Sequence, residues 1–142
     1  MTRFWNKTEA SALTLVRISL GVIFVWFGLL KITGDSPADH MVAATLPALD
    51  PAWLVPAVGG VEIVIGAGFL IAPLLPWIFP LFLAQQAGTF LLLFVSPGLC
   101  FQGRNPLLLT EEGEFVVKNL VLVFAALAVY AARRKSAPVP RP

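Results

Sequence analysis

The sequence predicts an all-α protein, a bundle of four helices that crosses a membrane, and three observations lead to this fold class. The chain has 142 residues, of which 58% are hydrophobic and 13% are charged. Its mean hydropathy is +0.84, and its charged fraction is about half that of a soluble domain. Four predominantly apolar runs of about twenty residues, the length that crosses a bilayer, are joined by short polar segments. The whole chain, 1–142, is therefore predicted to form a single membrane domain.

The first span, about 11–33, contains two basic residues, Arg17 and Lys31, among apolar ones. At about 100° per residue, these side chains share a sector of about 80° with Gly21 and Gly28. A charge within the hydrocarbon core faces protein or a water-filled cavity rather than lipid. This sector is therefore predicted to face the interior of the bundle.

The second span, about 52–72, contains Glu62, with Gly59 and Gly66 on the same side of the helix. Small residues let a neighbouring helix approach closely in a membrane. Because an unpaired buried carboxylate is costly, we expect Glu62 to pair with Arg17. Two roles for this pair stay open: a packing clamp, or one wall of a cavity that takes a head group, a proton or a polar substrate.

The third span, about 77–95, is predicted to make hydrogen bonds to other helices. Its polar side chains are Gln85, Gln86 and Thr89, and Ser96 directly follows it. Gln85, Thr89 and Ser96 are the three expected to make these bonds. Polar side chains of this kind join helices to one another in membranes.

The fourth span, about 113–132, follows the N-cap residue Thr110 and contains a second pair of charges. Glu114 precedes Lys118 by four residues, a spacing that places both side chains on one helix face. Lys118 and Lys31 lie at a similar predicted depth, so with Glu114 they form a candidate site for an anion or a quinone carbonyl. The alternative is that both lysines extend to the membrane surface and Glu114 neutralises one of them.

Basic residues concentrate at the two ends of the chain. The predicted disordered tail, 133–142, is basic, and the loops on the other side of the membrane contain only Arg104 between them. The basic residues near the ends are Arg3, Lys7, Arg133, Arg134, Lys135 and Arg141. Because basic flanks favour the cytoplasmic side, both termini are predicted to be cytoplasmic in a multi-pass protein of the plasma membrane.

Several functional classes are excluded by composition. A net charge of +2 is too small to predict a nucleic-acid partner. The single cysteine, Cys100, and the single histidine, His40, supply no ligand set for zinc, haem or an iron–sulfur cluster. We therefore predict no metal site and no catalytic residue, an inert or surface-exposed Cys100, and a surface role for His40.

Three segments resemble the DoxX-like integral membrane proteins and the related family of YkgB-type inner-membrane proteins. They are RISLGVIFVWFGLLK around Arg17, GGVEIVIGAGFLI around Glu62, and LTEEGEFVVKNLVLVFAALAVYAAR near the end of the chain. The resemblance covers nearly the whole chain. Its most specific part is the closing helix, with Gly113, Glu114, Lys118 and Asn119.

The resemblance implies a four-helix bundle in a bacterial inner membrane. Some relatives are the small membrane subunit of thiosulfate:quinone oxidoreductase, and others accompany oxidative-stress or sulfur redox systems. It implies no intrinsic cofactor, a quinone as ligand, and a redox enzyme as partner. The resemblance also implies five polar positions in the core of the bundle: Arg17, Lys31, Glu62, Glu114 and Lys118. The chain has neither paired cysteines nor cofactor ligands, so no catalysis by this chain alone is expected.

Three functions remain in view at the level of sequence. The first is a small membrane subunit of a bacterial redox system, with a quinone-sized pocket between the first, second and fourth spans. The second is a structural or assembly subunit of a larger membrane complex or oligomer, with no activity of its own. The third is a transporter for a small solute, whose path the same charges would line.

Overall fold

The computed structural model describes residues 2–136, and this part of the chain is almost entirely helical. The helices are α1 (Thr2–Thr33), α2 (Asp39–Thr45), α3 (Pro51–Leu70), α4 (Leu75–Val95), α5 (Pro97–Cys100) and α6 (Glu111–Ser136). The described residues contain no named strand, only an isolated bridge between Phe101 and Leu109. Four helices, α1, α3, α4 and α6, are long and apolar enough to cross a membrane. The predicted fold class, an all-α four-helix bundle, is confirmed.

Side-chain caps fix the starts of α3 and α6. The carboxylate of Asp50 accepts a hydrogen bond from the backbone N–H of Ala52 at 2.9 Å. The hydroxyl of Thr110 accepts one from the N–H of Gly113 at 3.1 Å. These contacts satisfy amides that have no partner within the first helical turn, as the sequence predicted.

The first and last helices of the chain are longer than the predicted spans. Helix α1 begins at Thr2 rather than near residue 11, and α6 continues to Ser136 rather than ending near 132. The prediction of a disordered tail is therefore wrong for 133–136, which is helical. The remainder of that predicted tail, 137–142, lies outside the described residues.

Helices α1 and α3 pack against each other in antiparallel directions through glycines. A Cβ atom added to Gly28 would lie 2.4 Å from the carbonyl oxygen of Gly59. A Cβ atom added to Gly66 would lie 2.6 Å from the carbonyl oxygen of Gly21. Both distances are shorter than any real Cβ contact, so these positions allow the two backbones to touch.

Aromatic rings fill the centre of the bundle. Phe82, from α4, meets Phe24 and Phe69 edge to face, with ring centroids 5.5 Å apart in each pair. Phe79 stacks on Tyr130 of α6, with a centroid distance of 4.2 Å. These contacts tie all four spans to one core, because aromatic pairs add geometric preference to apolar burial.

The outside of the bundle is apolar. Trp77 is 82% exposed and Phe94 is 79% exposed, and Trp26, Val121 and Phe124 are also largely uncovered. A water-soluble monomer rarely presents so much apolar surface on every side. The exposed side chains therefore face the acyl chains of a bilayer, and the protein is a multi-pass membrane protein.

The two ends of the bundle differ. The end called here the loop face is covered by α2 and α5, where Met41, Leu92, Cys100 and Val116 form a small buried cluster. The hydroxyl of Ser96 donates a hydrogen bond to the carbonyl oxygen of Ala44 at 2.9 Å, which anchors α2 to α4. The opposite end, called the terminal face, holds the start of α1, the end of α6 and the turn between α3 and α4.

Candidate functional site

A buried ion pair with one amide partner forms the polar centre of the bundle. The ammonium nitrogen of Lys31 lies 2.9 Å from Oε2 of Glu62, and each residue is only 5% exposed. The other carboxylate oxygen, Oε1, accepts a hydrogen bond from the side-chain amide of Gln85 at 3.1 Å. These three side chains, called here the polar triad, connect α1, α3 and α4.

The predicted pairing of Arg17 with Glu62 is wrong, and the direction of side chains along a helix explains the actual partner. Side chains tilt toward the N-terminus of their own helix. Because α1 and α3 are antiparallel, Lys31 and Glu62 tilt toward each other. Arg17 tilts away from Glu62, toward the terminal face.

Arg17 instead binds the end of α3. One guanidinium nitrogen donates to the carbonyl oxygens of Phe69 and Leu70, the second at 2.8 Å. The last carbonyls of a helix have no partner within it. In a bilayer such unsatisfied groups cost several kcal/mol each, so Arg17 stabilises the end of the helix where it would otherwise face lipid.

A cavity of about 250 Å³ lies between α2, α3, α4 and the start of α6, and the polar triad forms part of its wall. Its other lining is mostly apolar: Met41, Val42, Leu46, Leu54, Val58, Val61, Leu81, Leu92, Phe115 and Val116. Val61, Leu81 and Phe115 are also exposed on the outside of the bundle. The cavity therefore combines a polar end with apolar walls that continue to the lipid-facing surface.

Three features leave room and hydrogen-bonding capacity in this cavity. Gly88 lines it, and a Cβ atom added there would meet nothing within 4 Å. Oε1 of Gln85 is buried and accepts no hydrogen bond from the described residues. The Lys31 ammonium, which has three N–H groups, donates to Glu62 and to no other acceptor in this part of the chain. The polar end thus offers both a donor and an acceptor to a small molecule.

The other predicted charge cluster does not join this site. Lys118 and Glu114 form the predicted pair, with 3.4 Å between nitrogen and oxygen, but their side chains are 75% and 59% exposed. Neither residue lines the cavity that Lys31 lines. An exposed pair of this kind contributes little to stability.

The hydrogen bonds predicted for the third span are confirmed at two of three positions. Gln85 and Ser96 bond to other helices, whereas the hydroxyl of Thr89 donates to the carbonyl of Gln85 in its own helix, at 3.4 Å. Sequence reasoning missed the cover that α2 provides. A sequence signal was present, because Met41 and Thr45 lie four residues apart and so share one side of the short helix.

Cys100 and His40 lie near the start of α6, and neither belongs to the triad. Cys100 is fully buried, so of the two alternatives expected for it, inert or surface-exposed, exposure at the surface is wrong. Burial raises the pKa of this thiol, and the Glu112 carboxylate raises it further. The ring nitrogen Nε2 of His40 lies 3.4 Å from a carboxylate oxygen of Glu112. Among residues 2–136, no group of three or more His, Cys, Asp or Glu side chains is placed to hold a metal ion.

Fold and site together define a multi-pass, all-α membrane protein with an internal polar triad beside an apolar cavity. Comparisons of the chain with protein-family models, with curated proteins and with solved structures find no match. Its function is therefore argued from its own residues and from the resemblance noted in its sequence.

Proposed function

We propose that this protein is the small membrane subunit of a bacterial redox system and that it binds a quinone head group in the cavity beside the polar triad. The observation that carries the proposal is a cavity with apolar walls whose polar end is formed by Lys31, Glu62 and Gln85. Pockets for small molecules combine mostly apolar lining with a few well-placed polar groups. The resemblance of the sequence to DoxX-like proteins supports the redox context.

The chemistry of the triad suits both oxidation states of a quinone. An oxidised quinone presents carbonyl oxygens, which accept hydrogen bonds from the ammonium of Lys31. A reduced quinol presents hydroxyl groups, which donate to the free Oε1 of Gln85. Glu62 holds both partners in place, because its two oxygens contact Lys31 and Gln85.

The size and position of the cavity suit a head group rather than a whole lipid. Its volume of about 250 Å³ is slightly below the range of roughly 300–1,000 Å³ typical of sites for drug-sized ligands. An isoprenoid tail would remain among the acyl chains beyond Val61, Leu81 and Phe115. The electron-transfer chemistry would take place in a partner enzyme, and this chain would bind and orient the quinone.

We also propose an orientation for the protein. The basic residues near the chain ends favour the cytoplasm for the terminal face. The loop face, with α2 over the cavity, would then lie on the periplasmic side of a bacterial inner membrane. The triad would bind quinones nearer that side of the bilayer.

The sharpest test fills the cavity without disturbing the triad. Gly88→Leu places a side chain in the space beside Gly88, where an added Cβ meets nothing. Gly60→Leu is the matched control, because an added Cβ there also meets nothing but Gly60 does not line the cavity. Binding of a short-chain ubiquinone or menaquinone analogue to the purified protein is measured by titration in detergent.

We expect Gly88→Leu to weaken quinone binding at least about tenfold, the equivalent of 1.4 kcal/mol, while Gly60→Leu binds like the wild type. Unchanged binding in Gly88→Leu, or no saturable binding by the wild type, would rule out this cavity as a quinone site.

A structural subunit is the second candidate, because the charges of the triad are already paired within the protein. In that case the triad fixes the packing of α1, α3 and α4 and takes no ligand. Lys31→Met combined with Glu62→Leu would then keep any partner subunit bound in fixed ratio after purification. The quinone proposal instead requires that this double variant lose quinone binding.

A further inference from the structure

A second groove lies at the terminal face, far along the bundle from the polar triad. It has a volume of about 680 Å³ and lies between the start of α1, the end of α6 and the turn from α3 to α4. Its walls are largely apolar, with Leu13, Leu75 and Val129 and several alanines. Arg17, Arg133 and Glu9 supply its charges.

Both arginines retain unused hydrogen-bonding capacity. Arg17 uses one terminal nitrogen to bind the two carbonyls at the end of α3. Arg133 approaches the carbonyl oxygen of Pro73 at 3.4 Å, a long hydrogen bond. Within residues 2–136, neither guanidinium forms an ion pair with a carboxylate. A guanidinium has five N–H donors, so most of them remain available in each case.

The charges of the groove favour binding of an anion. Among the described side chains that line the groove, two guanidinium groups and one carboxylate leave a net charge of +1 along an apolar surface. A charge beside a medium of low dielectric constant is costly without a counterion. A phosphate matches the planar fork of an arginine and accepts two parallel hydrogen bonds from it. The neighbouring apolar walls suit a ligand that also carries an acyl chain.

The position of the groove points to the same ligand. Arg133 lies near the end of the α6 span, Glu111–Arg134, where the helix leaves the hydrocarbon core. Lipid phosphates lie at this level of a bilayer, and basic pockets between transmembrane helices bind anionic head groups.

We propose that this groove binds the phosphate of an anionic phospholipid, with Arg133 as its principal contact and Arg17 as the second. One acyl chain would lie along Leu13 and Leu75. Glu9 opposes the bound anion and sets the affinity below what two arginines alone would give.

Adjacent arginines provide the matched control. Arg134 follows Arg133 on α6 and is exposed, but it does not line the groove. We would titrate the purified protein with phosphatidylglycerol, phosphatidylcholine and inorganic phosphate and count bound molecules by native mass spectrometry. The variants are Arg133→Gln, Arg134→Gln and Glu9→Gln, and a thermal melt of each verifies its fold.

We expect Arg133→Gln to weaken phosphatidylglycerol binding about tenfold, the loss of one charge-assisted contact. Arg134→Gln should change it by less than about twofold, and Glu9→Gln should strengthen it. Phosphatidylcholine and inorganic phosphate should each bind more weakly, because one lacks net charge and the other lacks an acyl chain.

Equal losses in Arg133→Gln and Arg134→Gln would overturn the proposal, since they would indicate diffuse attraction to a basic surface. Inorganic phosphate that binds as tightly as phosphatidylglycerol would also overturn it, by showing that the apolar walls contribute nothing. Should Arg133→Gln fail to fold, Glu9→Gln alone decides: unchanged or weaker lipid binding in that variant contradicts the site.

Discussion

Lys31 and Glu62 show that the tilt of a side chain along its helix can decide which buried charges meet. Arg17 and Lys31 share one face of α1, so facing alone does not select the partner of Glu62. The antiparallel packing of α1 on α3 makes Lys31 and Glu62 converge and makes Arg17 diverge. The sequence thus identifies Arg17, Lys31 and Glu62 as charges of the bundle interior. Which of the two basic residues meets Glu62 depends on how α1 packs against α3.

Two variants of the Lys31–Glu62 ion pair can distinguish the effect of an unpaired buried charge from the effect of altered packing. Lys31→Met leaves the buried carboxylate of Glu62 without its charge partner, which should lower the free energy of unfolding by about 3–5 kcal/mol. Adding Glu62→Leu removes the second charge, and the double variant should return to within about 1 kcal/mol of the wild type. Reversible unfolding in mixed detergent micelles measures both. A double variant as unstable as Lys31→Met would show that the pair itself stabilises the fold.

Cys100 makes a prediction about pH. Burial raises the pKa of its thiol, and the thiolate is the reactive form, so N-ethylmaleimide should modify the folded protein at least about tenfold more slowly than the SDS-denatured chain at pH 8. Because the folded pKa is the higher one, the stabilising contribution of this thiol is complete below its unfolded pKa and is lost as pH rises through the folded pKa. The Cys100→Ser variant should therefore lose less stability than the wild type between pH 8 and 10. Equal alkylation rates for folded and denatured protein would contradict the buried placement.

The glycines of helix α3 are of two kinds: some contact the neighbouring helix, and others do not. Gly66 touches the backbone of α1, whereas Gly60 on the same helix has open space beside it. Sequence reasoning could predict the contact at Gly59 and Gly66, because small residues on one helix face indicate close approach.

These glycines give a matched pair of substitutions. Gly66→Ala places a Cβ 2.6 Å from the carbonyl oxygen of Gly21, and backbone atoms cannot move aside cheaply, so we expect a loss of about 1–3 kcal/mol of stability. Gly60→Ala should be neutral or slightly stabilising, since alanine favours helix. Unfolding in mixed micelles measures both, and equal effects at the two positions would refute the close packing of α1 on α3.

Helix α2 is the element that sequence reasoning could not place. Ser36 and Pro37, just before α2, are residue types typical of a helix start. No nearby residue in the chain indicates that this helix folds over the space between α3 and α4. That placement depends on contacts distant in sequence, such as Ser96 with Ala44. The cavity is therefore a tertiary feature. The sequence identifies Lys31 and Glu62 as charges of the bundle interior but assigns them to two different sites, and the structure joins them.

On the scale of the whole molecule, the four spans follow directly from hydropathy, because a bilayer demands about twenty apolar residues from each crossing helix. The ion pairs inside the bundle are harder to predict from the sequence, since each charged side chain could pair with several others or extend to the membrane surface. Lys118 and Glu114 took the exposed alternative, whereas Lys31 took the buried one. Two opposite charges four residues apart can pair on one helix. Their presence in the sequence therefore does not predict which residues of different helices form a site together.

We expect lipid-soluble quinones to bind beside the polar triad, and photolabelling can locate the bound quinone. A quinone analogue with an azido group on its ring would be irradiated with the protein in membranes, and the labelled peptides would be identified by mass spectrometry. Binding in the cavity should label cavity residues, above all Met41 and Phe115, and excess unlabelled quinone should suppress this labelling. Label spread over the lipid-facing surface near Trp26 and Trp77, unaffected by excess quinone, would contradict it.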